Sequence, residues 1–206
     1  MTTDLESRIR QIEDRTQISE QVIRYAMGVD RRDWAMFAGC FTDPVYADFS
    51  GGGVPAATVS RADLVAWVSA ALNGFTATQH ISPNHVIEFD ASDPGRAICH
   101  SYMYAQHLLR GSASGEFYLL RGSYTNHMLR TPEGWRIERI IQHRSWEYGN
   151  TSAVTEATAR AQAQAPASQT IRWHATTPRR PCGLPTGSRA ASASSTSAIW
   201  ACCLIW

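Results

Sequence analysis

Residues 96–148 read RAICHSYMYAQHLLRGSASGEFYLLRGSYTNHMLRTPEGWRIERIIQHRSWEY. Apolar and polar side chains alternate through most of this stretch, and a period of two is the signature of strands with one face in a core. The alternation stops at Gly-Ser-Ala-Ser-Gly (111–115) and at Thr-Pro-Glu-Gly (131–134), both with turn chemistry. Three long antiparallel strands are therefore predicted, over Arg96–Leu109, Glu116–Arg130 and Trp135–Tyr148. Upstream of Asp-Pro-Gly (93–95), the same period predicts a fourth strand over Thr78–Phe89. Shorter strands near Val45–Phe49 and Ala57–Val59 flank Gly51-Gly52-Gly53.

Before the strands the period is that of helices. Leu5, Ile9 and Ile12, then Ile18, Val22 and Ala26, recur at spacings of three and four, predicting a helix over residues 4–27 with a break near 14–16. A short helix is expected over Arg32–Cys40. Another is expected over Arg61–Leu72, capped by Ser60 and stopped at Asn73-Gly74. Helices followed by a meander of long strands predict an α+β fold, with about three N-terminal helices on one face of a strongly curved, mostly antiparallel sheet. Such a sheet and its helices enclose a space suited to a small ligand.

The composition narrows the function classes. The chain has 206 residues and a formal net charge of +1, which gives no field favouring nucleic acid or an acidic membrane. Its five cysteines show no CxxC pair, so neither a metal knuckle nor a redox motif is expected. No run of about 18 apolar residues and no apolar leader core are found, so a cytoplasmic protein without a membrane partner is expected. Every basic residue is arginine, a trace of GC-rich coding. Residues 1–150 are expected to form the single domain. Residues 151–206 are rich in Ala, Ser, Thr, Arg and Pro and lack a period. They are expected to be a disordered tail, of the composition a frame-shifted GC-rich gene yields.

Four polar residues carry the possible chemistry. Asp30 follows the first helix and can either cap the next one or sit at the mouth of the interior; Asp33 competes for the cap. His80 lies in a strand, as either a satisfied core residue or a functional one. His107 continues the face made by Ala97, Cys99, Ser101, Met103 and Ala105, which is small and weakly polar like a pocket wall. Tyr25, five residues before Asp30, can be core or can point its hydroxyl into a cavity. His100, His127 and His143 read as structural or exposed. Gly51-Gly52-Gly53 lacks the setting of a phosphate loop.

Residues 8–149 resemble the SnoaL-like, scytalone dehydratase-type branch of the nuclear transport factor 2-like superfamily. The resemblance is carried by VDRRDWAMFAGCFTDPVYADFSG (29–51), ATQHISPNH (77–85), SYMYAQH (101–107) and LRTPEGWRIERI (129–140). It implies a cone-shaped fold, usually a homodimer or homotrimer, in which Asp30 and His80 fall on an aspartate–histidine pair at the pocket base. His107 falls on a second catalytic histidine, and Tyr25 has the tyrosine-to-aspartate spacing of bile acid 7α-dehydratase. Two water-holding tyrosines of scytalone dehydratase are replaced by Val29 and Phe49. A serine and an asparagine are replaced by Gly122 and Tyr124. The acid–base pair is thus kept while the groups that read the substrate differ.

The expected chemistry is that of a lyase of the dehydratase type. His80 removes a C–H proton, Asp30 orients it, and His107 or Tyr25 donates to the leaving hydroxyl or enolate. An imidazole suits the task because its ordinary pKa, about 6.5, lies near neutral. No metal or organic cofactor is expected. Trp34, Phe49, Trp67, Met103, Tyr104 and Tyr124 are expected to line the pocket, favouring a small apolar or aromatic ring-bearing substrate. The alternatives are a polyketide cyclase or ketosteroid-type isomerase using the same base, and a non-catalytic ligand-binding or assembly module.

Overall fold

A computed structural model describes residues 2–164. The elements, in order, are α1 (Thr2–Arg31), α2 (Trp34–Ala38), β1 (Phe41–Phe49), β2 (Val54–Val59), α3 (Arg61–Leu72), β3 (Ala77–Ile81), β4 (Val86–Phe89), β5 (Arg96–Leu108), β6 (Phe117–Thr131), β7 (Gly134–Gly149) and α4 (Ala153–Gln164). The seven strands form one sheet in the order β2-β1-β7-β6-β5-β3, with β4 also on β5. All pairs are antiparallel except β1 with β7. The fold is the expected α+β type, with helices packed on one face of a curved, mixed sheet.

The long strands β5, β6 and β7 form where period two places them. Ala97, Cys99, Ser101, Met103, Ala105 and His107 all face the interior. The sheet bends because β7 carries two irregularities, opposite Arg121/Gly122 and His127/Met128. At the first, a side chain on Gly122 would meet the His143 carbonyl oxygen at 1.9 Å, so only glycine permits the approach. The predicted strand Thr78–Phe89 is instead two. Pro83 and Asn84, the latter in a left-handed conformation (φ 63°), interrupt the ladder, and β3 and β4 run one after the other along β5.

The first helix is continuous through residues 14–16, where a break was expected. Asp14 is itself an anchor. Its Oδ2 accepts from Arg130 at 2.5 Å and its Oδ1 from Trp135 Nε1 at 3.0 Å, tying α1 to the β6–β7 hairpin. Ile18, Val22, Tyr25, Ala26 and Val29 then pack into the core. Leu5, Ile9 and Ile12 do not: all three are exposed, because the helix overshoots the body by about three turns. α2 lies close on α1, and a side chain on Gly28 would stand 2.8 Å from the Phe37 nitrogen. Ser60 caps α3 as expected, accepting from the Asp63 nitrogen at 3.0 Å.

The ordered body extends past the expected boundary at residue 150. Ala153, Val154 and Ala157 of α4 are buried, and Glu156 accepts from Ser112 and Asn150. Alanine is the best helix former, so the composition that read as low complexity here builds a helix with a small-residue face. The expected tail beyond Gln164 lies outside the described residues. α4 seats directly on Gly74, where an added Cβ would stand 1.8 Å from the Ala157 carbonyl oxygen. Gly74→Ala is therefore expected to lift α4 and cost about 1–3 kcal/mol, the usual range for overpacking. An unchanged urea midpoint would show that α4 docking is not tight.

Candidate active site

Asp30 sits in the last turn of α1. A carboxylate is poorly placed there, since the C-terminal end of a helix carries partial negative charge. Three donors converge on it. His80 Nδ1 lies 2.7 Å from Oδ1, Thr78 Oγ1 donates to Oδ1 at 2.9 Å, and the His80 backbone nitrogen donates to Oδ2 at 2.7 Å. Thr78 and His80 are two apart on β3, so period two puts both on the face that meets the helix end. The neighbouring strand places His107 opposite Thr78 and Ala105 opposite His80.

The pair is sheltered: the side chains of His80 and Asp30 are 10% and 20% exposed. With Asp30 on Nδ1, the tautomer is fixed and Nε2 is the ring nitrogen left for chemistry. Arg32, in a left-handed conformation, braces the arrangement from behind. It donates to Thr78 Oγ1 at 2.8 Å and to the carbonyls of Val29 and Leu72. Because Thr78 Oγ1 accepts from Arg32, its own proton is directed at Asp30. The cap reading of Asp30 is excluded: Asp33 caps α2, accepting from the Met36 nitrogen at 2.9 Å.

His80 faces a cavity of about 30 Å³ shared with Tyr25, Phe49, Trp67, Met103, His107, Tyr124 and Gln142. The structure thus brings together Tyr25, His80, His107, Phe49, Trp67, Met103 and Tyr124 from the sequence expectation, with Asp30 directly behind His80. Two expectations are corrected. Trp34 is not among the lining residues; it packs edge-on against Phe37, 5.9 Å between ring centres. Tyr104 points out of the sheet, 42% exposed, with the Arg121 guanidinium 3.2 Å over its ring, because residues of even number on β5 face outward.

The two histidines differ in role. Their rings meet edge to face at 5.4 Å. His107 is buried, and its Nδ1 lies 3.3 Å from the Tyr118 carbonyl oxygen, which makes that nitrogen the donor. Burial, helped by the neighbouring His80, pushes its pKa down to about 3. His107 is therefore a neutral imidazole, and the expectation that it donates a proton is corrected. The hydroxyls of Tyr25 and Tyr124 lie 3.4 Å apart, and Gln142 Nε2 donates to Tyr124 at 3.3 Å. Burial raises both phenol pKa values, so both stay protonated and can donate. Among the described residues, Gln142 Oε1 is buried without a partner.

Arg32, Thr78 and Gln142 were not singled out by sequence reasoning. Thr78 had a signal in its two-residue spacing from His80. Arg32 and Gln142 had none, since their partners come from distant segments. Burial pushes the thiols of Cys40 and Cys99 up to about 11, so neither is a ready nucleophile at neutral pH. Among the described residues, no group of three or more His, Cys, Asp or Glu could hold a metal ion, and no helix is long and apolar enough to cross a membrane.

The SnoaL-like domain family matches residues 10–141. The chain belongs to this family. An uncharacterized protein of Mycobacterium tuberculosis is 25% identical over 142 residues, covering 68% of this chain and 90% of that protein. A solved structure of a Kribbella flavida protein is 29% identical, with a TM-score of 0.63 over 74% of this chain and 99% of that one. A candidate scytalone dehydratase from Novosphingobium aromaticivorans (17% identity, TM-score 0.57, 72% and 91% coverage) shares the fold. So does a hexachlorocyclohexane dehydrochlorinase (15% identity, TM-score 0.60, 68% and 91% coverage). The fold is thus the nuclear transport factor 2-like cone that the sequence resemblance implied.

The depressed pKa of His107 makes a stability prediction. Neutral when folded, it must stay unprotonated while the unfolded chain takes up a proton below about pH 6.5. Its contribution is fully present above pH 6.5 and falls away as the pH drops toward 3, a loss on the order of 4 kcal/mol. Urea unfolding of wild type and His107→Gln at several pH values is expected to show a flatter acid limb in the variant. Parallel limbs would refute the assignment.

Proposed function

We propose that this protein is a small-molecule lyase of the dehydratase type, in which His80 is a general base oriented by Asp30. The observation that carries the reading is the 2.7 Å contact between His80 Nδ1 and Asp30 in a sheltered site. The carboxylate that meets the ring is itself held by the Thr78 hydroxyl and the His80 backbone N–H, with Arg32 bracing Thr78, more support than a merely satisfied histidine needs. Nε2 takes a proton from a C–H next to a carbonyl, and Asp30 stabilises the imidazolium that forms. The electron pair left on carbon forms the double bond as the neighbouring C–O bond breaks. The departing hydroxide takes the proton back from His80 and leaves as water. Of the paired Tyr25 and Tyr124 hydroxyls one donates to the other, and the second donates to the carbonyl oxygen as negative charge develops there. The same base returning its proton to another carbon would be an isomerase, the nearest alternative.

The size of the cavity bears on the substrate. About 30 Å³ holds a couple of water molecules, whereas a cavity that accepts benzene is roughly 150 Å³. That tight filling is the feature favouring the non-catalytic alternative. Admission of a ring requires Trp67, the only half-buried carbocyclic ring in the lining, to swing outward. An apolar ring bearing a carbonyl and a hydroxyl matches the lining, with the tyrosines and Gln142 Oε1 meeting its polar atoms.

The test is proton abstraction itself. Cyclic β-hydroxy ketones are incubated with enzyme in D2O, and deuterium at carbon and loss of water are followed by NMR. Asp30→Asn and His80→Gln are each expected to slow both by roughly 10²–10⁴-fold, the usual worth of a positioned acid–base group. Equal rates in wild type and both variants would overturn the mechanism. Trp67→Ala is expected to lower KM for bulky ring substrates with little change in kcat; a raised KM would show instead that the indole is a binding surface.

A further inference from the structure

The first three turns of α1 reach beyond the body. Every residue from Asp4 to Glu13 is exposed. They are not uniformly polar, however: Leu5, Ile9 and Ile12 are 57%, 47% and 65% exposed, and Ile23, further along the same face, is 46% exposed. With Thr16 and Ser19 between them, these residues follow alternating steps of four and three, a seven-residue repeat with Ile9, Thr16 and Ile23 at one seam position and Leu5, Ile12 and Ser19 at the other. The seam runs on the side of the helix away from Asp14, Ile18, Val22, Tyr25 and Val29, which face the core. Thr16 bonds its hydroxyl back to the Ile12 carbonyl at 3.0 Å, so the polar group in the seam already has a partner.

Charge selects the occupant. The positions flanking the seam on one side are Glu6, Glu13 and Glu20; those on the other are Arg8 and Arg15. In a parallel pair of such helices, each flank meets the opposite flank of its neighbour, and Arg8 of one copy falls beside Glu13 of the next. In an antiparallel pair, each flank meets its own kind, acid against acid and arginine against arginine. Arg15 is already committed within its own chain: it donates to the Ile87 carbonyl at 3.1 Å and lies over Phe89.

We propose that α1 pairs in parallel with α1 of a second copy of this chain, through Leu5, Ile9, Ile12 and Ile23, with two symmetry-related Arg8–Glu13 bridges. The body sits on the far side of each helix from the seam, so two cones can flank the pair without collision. Burying Leu5, Ile9 and Ile12 removes from water the apolar surface that the body leaves uncovered. A two-fold axis along the pair makes the contact self-complementary and closed.

Sedimentation velocity on the full chain tests this. Wild type is expected to be at least dimeric, and Ile9→Glu with Ile12→Glu to raise the dissociation constant by more than tenfold without changing the circular dichroism of the folded body. Arg8→Glu and Glu13→Arg are each expected to weaken association by roughly threefold, and the two together to restore it. Ile9→Cys is expected to give a 9–9 disulfide-linked peptide by mass spectrometry. Three results would overturn the proposal. One is a monomeric wild type. Another is an oligomer indifferent to Ile9→Glu with Ile12→Glu, which would point to another face, such as the exposed Tyr102, Trp146 and Tyr148. The third is tightening by Glu13→Arg alone, the mark of an antiparallel pair.

Discussion

A carboxylate at the wrong end of a helix organises this molecule. Asp30 terminates α1, where the helix dipole opposes its charge, and its stability there depends on donors arriving from elsewhere. β3 supplies three of them, from Thr78 Oγ1, His80 N and His80 Nδ1. The same bonds dock the helix end against the sheet edge and fix a histidine tautomer. Structural and chemical requirements therefore converge on one contact. Arg32 strengthens it indirectly: burial lowers the guanidinium's pKa while the Asp30 charge holds it up, and Thr78 relays the bond between the two.

The two histidines at the cavity show how environment separates identical side chains. His80 has a carboxylate on one nitrogen, so a positive charge on its ring is compensated. His107 lies in a buried, weakly polar surround, so a charge there is opposed by desolvation and by its neighbour His80. Burial thus keeps His107 neutral. The tyrosine pair and Gln142 complete a polar wall, in a cone whose remaining lining is apolar.

The tight cavity and the projecting helix are two sides of one distribution of apolar surface. Inside, Phe49, Trp67, Met103 and Leu120 nearly fill the cone, so access to the site is a matter of side-chain movement. Outside, Leu5, Ile9 and Ile12 are exposed and cover nothing among the described residues, the surface that the proposed pairing would bury. α4 shows the intermediate case, a small-residue helix that docks because Gly74 leaves room for its backbone.

Period and turn chemistry alone located the long strands, because each alternates strictly and ends in a Gly- or Pro-containing turn, and they placed α3 between Ser60 and Asn73. Recurring residues also marked Asp30, His80, His107 and Tyr25, since short polar insertions in apolar segments are visible in one dimension. The sequence could not tell Leu5, Ile9 and Ile12 from core residues, because a helix face looks the same whether it meets its own sheet or another chain. Nor could it separate Trp34 from the true lining, because which way a helix aromatic points depends on where the helix sits; Tyr104 was separable, since period two on β5 puts it on the face opposite His107. Thr78, Arg32 and Gln142 reach the site from three segments joined only by folding. Residue type and spacing thus determined most of the elements, and the family resemblance pointed to Asp30 with His80, while tertiary packing alone decided which groups support that pair, since hydrogen bonds and burial depend on distances that the order of residues does not contain.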